Sequence, residues 1–209
     1  LTMIISEPPM SQAPKPATAR SVHFIDAGRT LIVGYLDSKE IVAWTISPWT
    51  KLWCHKLNTR MQVHHPSLID SYILIPILAS GSTAWSSGTR TLIASNLLNG
   101  IEIFHINDRL TWVRKLEFKI RANYIKQVAF GQQGSLVVSG SDSGEVVLWK
   151  VDSGAVFQTL RHGSGHLTSL KCHSPQNGSH RIASGSSDIE NSFYTVKVWT
   201  VPAVSHFSS

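Results

Sequence analysis

Ser184, His166 and Asp188 are the residue types of a nucleophile, a base and an orienting acid, and they lie in one short segment. Acyl transfer would need an exposed hydroxyl on a strand-to-helix turn, a base within hydrogen-bond reach and an oxyanion hole. The flanking residues do not supply that setting, because "GSGH" (163–166) and "SGSSD" (184–188) both lead into β-type runs. His162 and His166 are four apart, with Cys172, His173 and His180 nearby, which raises a zinc reading. Four-apart spacing aligns side chains only on a helix, and these two histidines flank "GSG" in a loop. His64 and His65 are adjacent and read as loop residues. "SGSDSG" (139–144) lacks the lysine and following helix of a phosphate loop and reads as a turn. These residues therefore predict no catalytic, cofactor-binding or metal site, and the chain reads as a non-enzyme.

The composition agrees with a turn-rich β protein. Of 209 residues 42% are hydrophobic, enough for a core, and only 15% are charged, where about 25% is usual. The balance is basic, 19 Lys and Arg against 13 Asp and Glu. The basic residues are scattered apart from residues 109–126, which argues against a nucleic-acid surface. Two cysteines, Cys54 and Cys172, make no disulfide framework. They point to a reducing, intracellular compartment, cytoplasm or nucleus. "LTMIISEPPM" (1–10) has no basic n-region and too short an apolar run for a signal peptide. No apolar run approaches the ~18 residues of a membrane span. The first residue, Leu1, suggests a fragment or a processed chain.

The elements that position these residues repeat. "TLIVGYLDSKEIVAWTI" (30–46), "TLIASNLLNGIEIFHI" (91–106), "SLVVSGSDSGEVVLWKV" (135–151) and "RIASGSSDIENSFYTVKVWTV" (181–201) share one plan. Each is an apolar strand, a polar turn and a second strand ending in an aromatic: Trp44, Phe104, Trp149, Trp199. The aromatics are spaced by 60, 45 and 50 residues. A short strand precedes each unit: "RSVHF" (20–24), "GSTAW" (81–85), "IKQVAF" (125–130) and "HLTSLKC" (166–172). Three units continue into a fourth strand: "KLWCHKL" (51–57), "LTWVRKLEFKI" (110–120) and "AVFQTLRHG" (155–163). Four antiparallel strands at a period near 45 predict an all-β propeller, whose blades bury both faces by stacking. Trp44, Phe104 and Trp149 are then blade-core aromatics. The rim strand should be polar, and Lys115, Glu117 and Lys119 alternate with Leu116, Phe118 and Ile120.

With its "SGSSD…TVKVWT" and "SGSDSGEVVLWK" segments the chain resembles the WD40-repeat family across roughly residues 20–201, most closely in the last two units. The resemblance implies a buried tie of His, Ser, Asp and Trp within a blade. Only the fourth unit carries all four, as His166 after Gly165, Ser184, Asp188 and Trp199. The third unit has Ser139 and Trp149, but Asn123-Tyr124 replaces Gly-His and Asp142 lies one residue early. The first and second units lack the Gly-His pair and lean on apolar packing.

The expected organisation is an N-terminal strand and Pro-rich linker (1–19), blade one (20–57), an insertion (58–80), blade two (81–121), blade three (122–163), blade four (164–203) and a tail (204–209). Blade four lacks an outer strand, which "LTMII" could supply. Four blades are fewer than the family's seven, so an open arc or part of a larger ring is expected, able to self-associate through bare blade faces. The insertion carries an apolar run, Tyr72, Ile73, Leu74 and Ile75 among it, and a second insertion at 189–194 includes Phe193 and Tyr194. Both fall at the same end of the sheets, the top face, which makes that face the expected docking site for an unidentified protein partner. The resemblance thus implies a non-catalytic interaction scaffold without cofactors. The alternatives are a structural fragment with no partner of its own and a basic nucleic-acid-associated module.

Overall fold

In a computed structural model the described residues are 18–57, 82–96, 99–119, 126–163, 166–174, 180–188 and 193–201. Among them fifteen strands and no α-helix are found. Two compact units divide the chain at residues 1–80 and 81–209.

The first unit contains β1 (Ala19–Ile25), β2 (Thr30–Tyr35), β3 (Glu40–Ile46) and β4 (Trp49–Lys56), a four-stranded antiparallel meander in chain order. The second contains three antiparallel meanders, two of four strands and one of three among the described residues. They are β5 (Thr83–Ser86), β6 (Thr91–Ser95), β7 (Gly100–Ile106) and β8 (Leu110–Glu117), then β9 (Val128–Gly131), β10 (Leu136–Gly140), β11 (Glu145–Lys150) and β12 (Val156–Arg161), and last β13 (His166–His173), β14 (His180–Asp188) and β15 (Phe193–Val201). We number them sheets one to four. The architecture is the all-β arrangement of separate antiparallel sheets that the repeats predict.

Within the second unit the sheets stack face to face, and the alternation of side chains along sheet three explains how. Leu136, Val138, Val146 and Leu148 form one core with Leu167, Leu170 and Ile182 of sheet four. Val128, Val137 and Trp149, on the opposite face, form a second core with Ile93, Ile101, Ile103 and Leu116 of sheet two. Successive strand residues point to opposite faces, so a strand buried on both sides reads as a continuous apolar run, as "EVVLW" does. Burying a side chain of this size contributes about 1.5–3 kcal/mol. In the first unit Val33, Tyr35, Val42 and Trp44 form the corresponding cluster. Trp44 and Phe104 are fully buried and Trp149 nearly so, whereas Trp199 is half-buried.

The outer strands are the rim. β4 and β12 carry mostly exposed or half-buried residues, and on β8 Lys115 pairs with Glu117 at 3.1 Å. Two first-to-second-strand turns use the same left-handed backbone: Asp26, Ala27 and Gly28 in sheet one (φ 51, 55, 84) and Gln132, Gln133 and Gly134 in sheet three (φ 46, 57, 97). Second-to-third-strand turns are closed by a side chain at one equivalent position. Asn96 Oδ1 accepts from the N–H groups of Asn99 and Gly100, each at 3.1 Å. Ser141 Oγ accepts from those of Ser143 (3.2 Å) and Glu145 (2.9 Å).

Several strands differ by a few residues from their expected extents, and for β9 the cause is visible. "IKQVAF" predicts a strand from 125, yet β9 begins at Val128. Gln127 Oε1 instead accepts the Leu170 N–H of sheet four at 2.8 Å, and Lys126 turns inward, with Nζ 5.8 Å from the Phe118 ring centroid. The segments 1–17, with "LTMII", and 58–80, with Tyr72, Ile73, Leu74 and Ile75, lie outside the described residues. The backbone of Phe193 and Tyr194 opens β15; their side chains lie outside the description.

Candidate functional site

Ser184, Thr195 and Trp199 of sheet four gather at a histidine that lies just past sheet three. His162, just past β12, is buried, and its N–H is held by the Gly144 carbonyl at 2.8 Å. Its Nδ1 lies 2.6 Å from Ser184 Oγ and its Nε2 2.8 Å from Thr195 Oγ1. Thr195 Oγ1 in turn lies 2.8 Å from Ser186 Oγ. The Trp199 ring meets His162 edge-on, centroids 5.7 Å apart. Both ring nitrogens are therefore engaged, and the hydroxyls can donate or accept to suit either tautomer.

The Gly165-His166 pair points to His166 as the partner of Ser184, but the histidine that reaches Ser184 is His162. His166 is the first residue of β13, opposite Ser187. Asp188 ends β14 rather than sitting in the turn beyond it, and its side chain lies outside the description. Burial, with the Lys197 charge, pushes the His162 imidazole down, partly offset by Thr195. The His162 ring, held by two hydroxyls and met by an indole, ties the end of β12 to β14 and β15.

Two other groups that could carry chemistry are similarly closed. Burial pushes the Lys126 amine down, the nearby Asp142 charge opposing it, and the side chain is only 2% exposed. Burial pushes the Cys172 thiol up to about 12. Cys54 is exposed on β4, where burial and then Glu40 raise it. Among the described residues no group of three His, Cys, Asp or Glu could hold a metal ion. No helix among them is long and apolar enough to cross a membrane.

The open feature of the second unit lies at the other end of the sheets. A cleft of about 660 Å³ is lined by Thr89, Gln133 and Asp152 at turns, by Leu136 and Phe157, and by His180. The elements that build it are the first-to-second and third-to-fourth-strand turns. Gly134 brings the sheet-three turn against sheet two so closely that a Cβ there would lie 2.4 Å from Ser86 Oγ. On the same wall Thr91 Oγ1 stands 3.3 Å from His105 Nδ1. The left-handed residues Gln132 and Gln133 are not strain peculiar to this cleft, since sheet one has the same turn. A lining that mixes apolar side chains with hydroxyl, amide and imidazole groups suits recognition of a side chain. No single-residue signal marks the cleft in the sequence, because it is formed by turns of sheets two and three together with His180 of β14.

Comparison with known proteins supports the fold. No family model and no curated protein matches the sequence. Solved structures do match. The β-propeller domain of Cps50 (Swd1) from Myceliophteria thermophila superposes with a TM-score of 0.64 at 13% identity, over 89% of this chain and 54% of that one. A chain of the mitotic checkpoint complex gives 0.60 at 13% identity, over 92% and 53%. The chain thus has a β-propeller fold and spans about half the length of the solved chains it matches.

Proposed function

We propose that the chain is a non-catalytic protein-interaction module that receives a partner's side chain in the cleft formed by turns of sheets two and three and by His180 of sheet four. The observation that carries this reading is the cleft itself: about 660 Å³ with a lining that mixes apolar Leu136 and Phe157 with polar groups. The buried state of His162 and Lys126 supports it by withholding the groups best suited to catalysis. Membership of a checkpoint assembly by one matched chain agrees with such a role. The competing reading is the top face expected from the sequence, with the insertions 58–80 and 189–194 as its contact segments.

Affinity purification with the wild-type chain, a Ser135→Trp variant that fills the cleft and a chain lacking 66–80 separates the two. Loss of a partner with Ser135→Trp alone supports the cleft. Loss with the deletion alone transfers the contact to the top face, and a partner retained by both refutes both surfaces.

A further inference from the structure

We infer, on the reading that the cleft receives a partner's side chain, that this side chain is acidic. Its carboxylate is taken by Lys150 and His180 and its methylenes lie against Leu136 and Phe157. The register of two facing sheets brings these four residues together at one side of the cleft. Leu136 pairs with Lys150 across β10 and β11, and Lys150 follows Leu148 by two residues. Successive strand residues alternate in direction, so Lys150 shares the face of Leu136 and Leu148, the one that packs on sheet four. His180 precedes Ile182 by two residues on β14, and Ile182 belongs to the same core. His180 therefore lies on the face of sheet four that meets sheet three. Phe157 packs against that core from β12. Lys150 and His180 thus flank the gap between the two sheets where it opens into the cleft.

The polar groups on this side are donors in search of an acceptor. Lys150 is exposed at the end of β11 and forms no ion pair among the described residues. Asp152 is the carboxylate of the lining, and it turns back on its own loop, where Oδ1 accepts the Ser153 N–H at 2.6 Å. Among the described residues nothing hydrogen-bonds His180 Nδ1, which is buried. A buried N–H without an acceptor is rare, so the proton of the neutral ring belongs on Nε2, which is then a donor. His105, the other imidazole of the lining, is engaged on sheet two, with Nδ1 3.3 Å from Thr91 Oγ1. A carboxylate only accepts, and it matches an ammonium and an imidazole N–H with charge-assisted bonds. A lysine or arginine head would meet Lys150 with like charge, and an apolar side chain would give neither donor an acceptor.

The test uses the 209-residue chain and blocked peptides Ala-Ala-Xaa-Ala-Ala with Xaa as Glu, Gln, Leu or Lys. Each is titrated at low salt while the backbone amide signals of Ser135, Leu136, Lys150 and Val151 are followed by NMR. The expected result is binding of the Glu peptide about tenfold tighter than that of the Gln peptide, the size of one charge-assisted hydrogen bond. Lys150→Gln, a change at an exposed side chain, is expected to remove that preference, and Ser135→Trp to remove binding altogether. Equal binding of the Glu and Gln peptides overturns the acidic occupant. So does a preference that survives in the Lys150→Gln, His180→Asn double variant, or the absence of shifts with every peptide. In the first two cases the cleft reading stands if Ser135→Trp still abolishes binding. Binding undiminished by Ser135→Trp overturns the cleft itself and the acidic occupant with it.

Discussion

A proton on His162 would put a charge among Ser184, Thr195 and Trp199, with Lys197 adding repulsion. The hydrogen bonds could survive, since both hydroxyls can accept, so the cost is electrostatic rather than geometric. The sign follows from the lowered folded-state value. An unfolded histidine titrates near 6.5. Above that pH neither state holds the proton and the neutral His162 contributes its full stability. As pH falls below it the unfolded chain takes up a proton that the folded chain refuses, and stability is lost. Urea midpoints at pH 7.5 and 5.5, compared between wild type and His162→Gln, read this term. The wild type is expected to lose more on acidification, and parallel losses would remove His162 as the source. Of this cluster Ser184 and Trp199 were legible in the sequence, one in the second strand and one at the end of the third. Which histidine serves them was not, because that depends on where β13 starts, and "HGSGH" offers two imidazoles on either side of that boundary.

Gly140, at the end of β10, shows how close two sheets approach. A Cβ there would lie 2.6 Å from Leu167 Cβ and 2.8 Å from the Leu167 carbonyl oxygen of β13. Backbone cannot give way as a flexible side chain can, so Gly140→Ala should separate β10 from β13 at a cost of about 1–3 kcal/mol. Gly185 on β14 is the control, since its Cβ would meet Ser169 Cβ at an ordinary 3.5 Å. Chemical denaturation of both variants checks this: equal midpoints would show that the β10–β13 approach relaxes freely. The strands themselves were legible because an alternating or continuous apolar run needs no information beyond its neighbours. Leu136–Gly140 and Glu145–Lys150 are such runs. The start of β9 was not, because a side chain from Gln127 and a backbone N–H from Leu170 decide it across two sheets. The cleft was illegible for the same reason, being a product of turns far apart in sequence.

At the scale of the whole second unit, the repeat predicts stability shared between neighbours rather than held in a single centre. Sheet three takes part in both cores, and two adjacent residues of β11 divide the task. Leu148 faces sheet four and Trp149 faces sheet two, both nearly inaccessible to solvent. Leu148→Ala should cost about 2–5 kcal/mol and Trp149→Ala about 3–5 kcal/mol, but the losses should appear in different places. Hydrogen exchange is expected to rise in β13 and β14 for Leu148→Ala, where Leu167, Leu170 and Ile182 lose their contact. For Trp149→Ala it should rise in β6 and β7, where Ile93, Ile101 and Ile103 do. A single shared exchange pattern for the two variants would mean that the three sheets open as one body, and that their stacking does not behave as separable interfaces.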